Sequence, residues 1–125
     1  MASETHIIYA RAEKATSVAI SKFRFVEATS SRVKLSTETA IPYGVSMTAT
    51  TARDALVQVI MIGVAPVEAS TTAAISKGAR IGCGASGYAI AAIANTPVGG
   101  IALATAAGGN VFPILLGFGA GRTTV

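Results

Sequence analysis

Side chains able to shuttle protons, hold metal ions or attack electrophiles are few in this chain. One histidine (His6), one cysteine (Cys83), one aspartate (Asp54) and five glutamates are spread over 125 residues. General acid–base catalysis needs titratable groups that converge on one reacting atom, and zinc or calcium sites need several ligands at short, regular spacings. Neither pattern is present. Glu13 and Glu68 fall at matching places of an internal repeat, which gives them a structural or surface role. Cys83 lies between Gly82 and Gly84 with no base beside it, so it reads as a small buried hydrophobe rather than a nucleophile. His6 lies in the N-terminal segment, where a solvated or interface role fits better than catalysis. Gly82-Cys83-Gly84-Ala85-Ser86-Gly87 spells a dinucleotide fingerprint by letter. However, the following Tyr88-Ala89-Ile90 is strand-like, and no acidic residue occurs downstream to hold a ribose. Gly117, Gly119 and Gly121 read as bulges or a flexible tail rather than a phosphate cradle. The expectation is a protein with no catalytic residues, no cofactor and no metal.

Charge removes two more classes. Lys and Arg number 10 against 6 Asp and Glu, a net charge of +4, but the cations never form a run and most stand near an acidic residue. Seven Phe and Tyr with no Trp make a poor stacking platform for single strands. Nucleic acid is therefore not expected as a partner. No charge occurs between Arg80 and Arg122, yet Asn95, Thr96, Pro97, Gly99 and Gly100 break that stretch. The apolar runs on either side are too short to cross ~30 Å of hydrocarbon, so no membrane span is expected. Met1 to Tyr9 carries Glu4 and His6 with no apolar centre, and is not expected to be a signal peptide. A lone cysteine fits synthesis in a reducing cytoplasm.

The elements that must carry any function are strands. Ile (12), Val (11) and Thr (14) greatly outnumber Leu (5), and branched side chains fit a pleated surface better than a helix. Ala, Gly, Ser and Thr supply 62 residues, so the chain is half small side chains that pack closely. Residues 13–22 and 68–77 are identical at six of ten positions, at an offset of 55. Each copy continues in the same order. Ile20 to Glu27, Arg32 to Thr37, an alternation at Val45, Met47 and Ala49, and Ala55 to Val67 make four strands. Ala79 to Gly84, Gly87 to Ile93, Ile101 with Leu103, and Val111 to Leu116 answer them. Ala55 to Val67 is apolar on both faces, the mark of a central strand. Pro113 cannot donate to a ladder and puts the last strand at an edge or interrupts it. The fold expected is all-β: a small sandwich or barrel of about eight strands, built from two pseudo-repeats of ~55 residues. The domain is expected to span residues 15–118, with copies at about 15–67 and 70–118. An N-terminal arm (1–14) and a C-terminal tail (119–125) flank it.

One order of phrases carries a family resemblance. Pro42-Tyr43-Gly44-Val45 precedes a strand, and Ala55-Leu56-Val57-Gln58-Val59 leads into Ile62-Gly63-Val64-Ala65-Pro66-Val67. Ala74-Ile75-Ser76-Lys77-Gly78-Ala79 and the turn Gly84-Ala85-Ser86-Gly87 follow. Val98-Gly99-Gly100-Ile101-Ala102-Leu103-Ala104 comes next, with Gly108-Gly109 before a final apolar strand. Over most of residues 15 to 118 this resembles the capsid cement, or head decoration, proteins of tailed bacteriophages. The first 14 residues and the tail around Arg122 carry no feature of that family.

The resemblance implies a structural virion protein on the outer surface of the mature capsid. Such a protein clamps neighbouring subunits of the major capsid protein against internal pressure, as a homo-oligomer: a trimer at three-fold positions or a dimer at two-folds. Ser3, Glu4, Thr5, His6, Ile7, Ile8 and Tyr9 are the candidate capsid contact, because an apolar segment at a chain end has no place in the repeat. It either adds as a strand to a capsid sheet edge, ordering on binding, or forms the first strand of this domain's own sheet. The alternative function is a β-sandwich surface-binding module for a host-surface or carbohydrate ligand.

Overall fold

Branched residues and short Gly- and Ser-rich turns produce strands along nearly the whole chain. The structure, a computed structural model, describes residues 6–38, 42–92 and 97–122. In chain order the strands are β1 (His6–Lys14), β2 (Phe25–Ala28), β3 (Val33–Leu35), β4 (Gly44–Ser46), β5 (Leu56–Glu68) and β6 (Ala74–Ile75). They continue as β7 (Arg80–Cys83), β8 (Ala89–Ala91), β9 (Pro97–Ala102), β10 (Ala106–Ala107) and β11 (Val111–Arg122), with a 3-10 turn at Ala85–Gly87 before β8. The strand expected at Val45, Met47 and Ala49 stops at Ser46, where the chain bends away.

β5 is the spine. One edge pairs with β1 over eight residue pairs, from His6↔Val64 to Lys14↔Leu56. The other edge is shared: β4 takes Val59 and Ile60, and β11 takes Gly63 to Glu68. Two single-residue irregularities interrupt the β1 ladder, leaving out Ile8 on one strand and Met61 on the other, so the register resumes unchanged. From this branch point the sheet runs β3-β2-β4-β5-β11-β9-β7-β8, with β1 beside β5 and all named pairings antiparallel. β6 and β10 form a separate two-stranded ladder. Bridges outside the strands tie both ends of the order back. Ala15 lies parallel to Val33, and Ala69 lies parallel to Ala89.

The all-β expectation therefore holds; of the sandwich and barrel expected, the structure is nearer the barrel, one curled antiparallel sheet of nine strands that forms a half-barrel. The physical reason lies in β5 and β11. At 13 and 12 residues they are long enough to take different partners along their length, so one ladder runs through both halves of the chain. β11 is also neither an edge nor interrupted at Pro113. Pro113 faces Pro66 across the β5–β11 ladder. Two residues without an N–H can share a non-hydrogen-bonded pair at no loss, and the Pro113 carbonyl accepts from Leu103 N–H at 3.0 Å on the far side.

Curling gives two cores. Ala15, Ile20, Val26, Val33, Val57 and Val59 fill the smaller, enclosed by β1, β2, β3, β4 and β5. The larger gathers Phe25, Ile60, Ile81, Phe112, Ile114 and Leu116, among others, from β2 and β5 together with the strands of the second half. Each fully buried side chain of this size contributes about 1.5–3 kcal/mol. β5 serves both cores, Val57 and Val59 entering one, and Ile60, Ala65 and Val67 the other.

Candidate interaction surfaces

The candidate contact residues fall at the start of β1. Ser3, Glu4 and Thr5 lie outside the described residues, as do the side chains of His6 and Ile8. His6–Lys14 is a strand of this domain's own sheet, with Ile7 opposite Gly63 and Tyr9 opposite Ile62. The Ile7 and Tyr9 side chains are about half exposed, at 53% and 47%. Among the described residues β1 hydrogen-bonds in a ladder with β5 alone, so its outer edge is open. An open edge of nine residues with apolar side chains is a template for another strand. Farther along, Glu13 accepts a 2.8 Å hydrogen bond from the Tyr43 phenol and lies 3.2 Å from the Arg11 guanidinium. The bond to the Glu13 carboxylate holds the Tyr43 phenol above its ordinary pKa, and burial adds to the effect. This cluster pins β1 to the rest of the sheet.

A second assembly was invisible in the sequence. Arg24, just before β2, reaches the turn before β8, where the two halves of the curled sheet meet. Its guanidinium stacks 3.6 Å from the centre of the Tyr88 ring, and Nη2 donates to the Tyr88 oxygen at 2.8 Å. Nη1 donates to the Ser86 carbonyl and Nε to Glu68 Oε1, both at 3.3 Å. The partners lie 44 to 64 residues away in sequence, and no local spacing announces them. The Arg24 side chain is only 11% exposed, so its removal leaves the Glu68 carboxylate and the Ser86 carbonyl without a donor. Arg24→Ala is expected to lower unfolding free energy by about 2 kcal/mol in urea titration. Arg24→Lys should recover only part of it, since an ammonium lacks the planar fork. Full recovery by lysine would show that the stacking and the fork contribute nothing.

The residues weighed for catalysis do not assemble. Cys83 is buried in the larger core, and its thiol sits 3.2 Å from the Gly84 carbonyl. Burial pushes its pKa up to about 11. At pH 8 only about one Cys83 in a thousand is then a thiolate. A disulfide reagent should therefore modify the native protein far more slowly than the urea-unfolded chain, and equal rates would contradict that burial. Because this pKa is raised by folding, the associated stability is intact below the unfolded thiol pKa and is lost as pH rises toward about 11. The fingerprint-like Gly82–Gly87 segment runs from the end of β7 through the 3-10 turn at Ala85–Gly87 to β8, with no α-helix to receive a phosphate. Among the described residues no three metal-ligating side chains converge, and no helix is long and apolar enough to cross a membrane.

An open groove of about 700 Å³ lies beside the Arg24 assembly, with Lys22, Phe23, Thr50, Glu68 and Val111 among its walls. Phe23 adopts φ 64°, a left-handed conformation unusual for a bulky residue. Its N–H donates to the Ser46 carbonyl at 2.6 Å and its carbonyl accepts from Glu68 N–H at 2.8 Å, which holds it there. The Lys22 ammonium lies 5.1 Å from the centre of the Phe23 ring.

Comparison with known proteins places this architecture. No curated protein matches the chain. Among solved structures it is similar to the head fibre gp8.5 N base of bacteriophage phi29, with a TM-score of 0.71 and 18% identity. That match covers 94% of this chain and 98% of the other, a likeness of fold along nearly the whole length of both. Residues 4–116 match the phage cement proteins, and the chain belongs to that family: a structural, non-enzymatic protein of the phage capsid surface.

Proposed function

We propose that the protein binds the outside of the mature, expanded capsid and cements neighbouring subunits of the major capsid protein against internal pressure. Residues 3–9 form the contact. The observation that carries this is the open outer edge of β1, with Ile7 and Tyr9 exposed at its N-terminal end. A capsid strand added there would gain main-chain hydrogen bonds along β1 and bury both side chains. Binding only the mature lattice stabilises that lattice at every occupied site. A homo-oligomer, as a trimer at three-folds or a dimer at two-folds, would place several such edges around one axis.

The two halves of the chain are taken as copies of one unit, at about 15–67 and 70–118. Supporting this, the sheet order runs β3-β2-β4-β5 from one end and β8-β7-β9-β11 from the other. The parallel bridges Ala15–Val33 and Ala69–Ala89 occupy corresponding places.

Co-sedimentation with expanded, undecorated shells of the cognate phage tests the function, alongside mass in solution. Saturation at a fixed ratio to the capsid protein is expected, and that ratio names the symmetry axis. Deleting residues 1–8 should abolish binding in a chain whose β-sheet circular dichroism is retained. Undiminished binding by that folded deletion would remove the arm from the contact. The second reading, a host-surface or carbohydrate module, draws on the Phe23 groove with its flanking Lys22 and Glu68. Glycan-array binding by the isolated protein would favour it.

A further inference from the structure

The far end of β1 gathers charge and apolar surface that the contact at residues 3–9 does not use. Lys14 stands directly opposite Leu56 in the β1–β5 ladder, so the two side chains emerge side by side. Ala15 N–H donates to the Ala55 carbonyl, and Asp54 N–H to the Ala15 carbonyl, each at 2.9 Å. Thr16 N–H bonds the Val33 carbonyl, bringing the β2–β3 turn to the same place. From that turn Arg32 Nε reaches Asp54 Oδ1 at 2.7 Å. Arg53 and Lys14 add to the field at Asp54, whose carboxyl is held below its ordinary pKa chiefly by the Arg32 hydrogen bond. Three cations thus surround one carboxylate, with two positive charges left over. Beside Lys14 in this cluster stands Leu56, 64% exposed; Val18, in the loop after β1, is 62% exposed. No other large apolar side chain among the described residues is as exposed as these two.

We propose that Lys14, Arg32 and Arg53, around the exposed Leu56, form a second docking surface that accepts an acidic, apolar-tipped face of the major capsid protein. The inference rests on the capsid reading above and deepens it. Charge complementarity selects the occupant. A surplus of guanidinium and ammonium groups repels a basic face and steers an acidic one, while an apolar centre inside a charged rim is the usual anatomy of an energetic contact. The second half of the chain has no counterpart, since no charged residue lies between Arg80 and Arg122. Ala10 to Glu13 of β1 lie between Tyr9, at the end of the first contact, and Lys14 at this surface, a separation of about 17 Å at ~3.3 Å per residue. One chain can then touch two capsid subunits at once, which is what a clamp requires.

The test is co-sedimentation of the full chain with expanded shells at several salt concentrations. Lys14→Glu with Arg53→Glu should weaken binding at least tenfold and flatten its salt dependence. Leu56→Ser, tested separately, should weaken it several-fold at every salt concentration. Both variants alter exposed positions, and unchanged thermal melting confirms that they fold. Lys77→Glu, an exposed cation in the other half, makes the same kind of charge change and should bind like wild type. If Lys77→Glu is as damaging as the double variant, overall charge rather than this surface governs binding, and the assignment fails. It fails equally if wild type binds and the Lys14/Arg53 and Leu56 variants match it within twofold. Wild type that does not bind mature shells overturns the capsid reading itself, and this surface with it.

Discussion

Gly87→Ala is expected to lose about 3 kcal/mol of stability, while the same substitution at Gly78 or Gly109 loses about 1 kcal/mol. All three glycines have left-handed backbones, with φ of 78°, 88° and 83°, so an added methyl strains each in the same way. Only at Gly87 would the new Cβ run into the Phe25 carbonyl and crowd the Arg24 side chain; at Gly78 and Gly109 it meets nothing within 4 Å. The difference isolates the tight approach of the turn before β8 to the start of β2. Urea titration of the three variants measures it directly. Three equal losses would mean that the two halves of the sheet do not press together there.

Phe25→Ala should lose about 3–5 kcal/mol, a large share of the about 5–15 kcal/mol that holds an ordinary domain folded. Phe25 is wholly buried, and its ring sits where a Cβ on Gly99 would come within 2.8 Å. Glycine at position 99 gives the ring its room. The cavity left by alanine cannot close readily, because β2 and β9 are each held by their own ladders on either side of it. Phe25→Leu keeps most of the volume and should lose under half as much. A Phe25→Ala variant that melts within a few degrees of wild type would show that the wings repack freely.

What the sequence made legible follows from what is local. The two-faced apolar run at Leu56 to Val67 is the spine β5, and Val33 with Leu35 is β3, because period and burial are written in neighbouring residues. The absence of convergent titratable groups pointed away from catalysis for the same reason, and the family membership agrees. Which of the two, sandwich or barrel, the strands build was not legible. Whether the two halves close into separate sheets depends on β5 and β11 sharing partners, a matter of register between residues about 50 apart. Pro113 misled because a missing N–H costs the β5 ladder nothing at a non-hydrogen-bonded position, and that position is set by the register with Pro66, far away in sequence. Arg24 looked like any dispersed cation. Its role comes from Glu68 and Tyr88 arriving from distant strands, and nothing in the spacing of the three announces it.

The β1–β5 ladder has a mechanical consequence. A capsid swelling outward would pull on anything bound at the start of β1. Where that pull runs along the strand, it loads eight residue pairs together, as shear, instead of peeling them one after another. The outermost strand is then the hardest to slide out, and tension entering there passes straight into β5, which serves both cores.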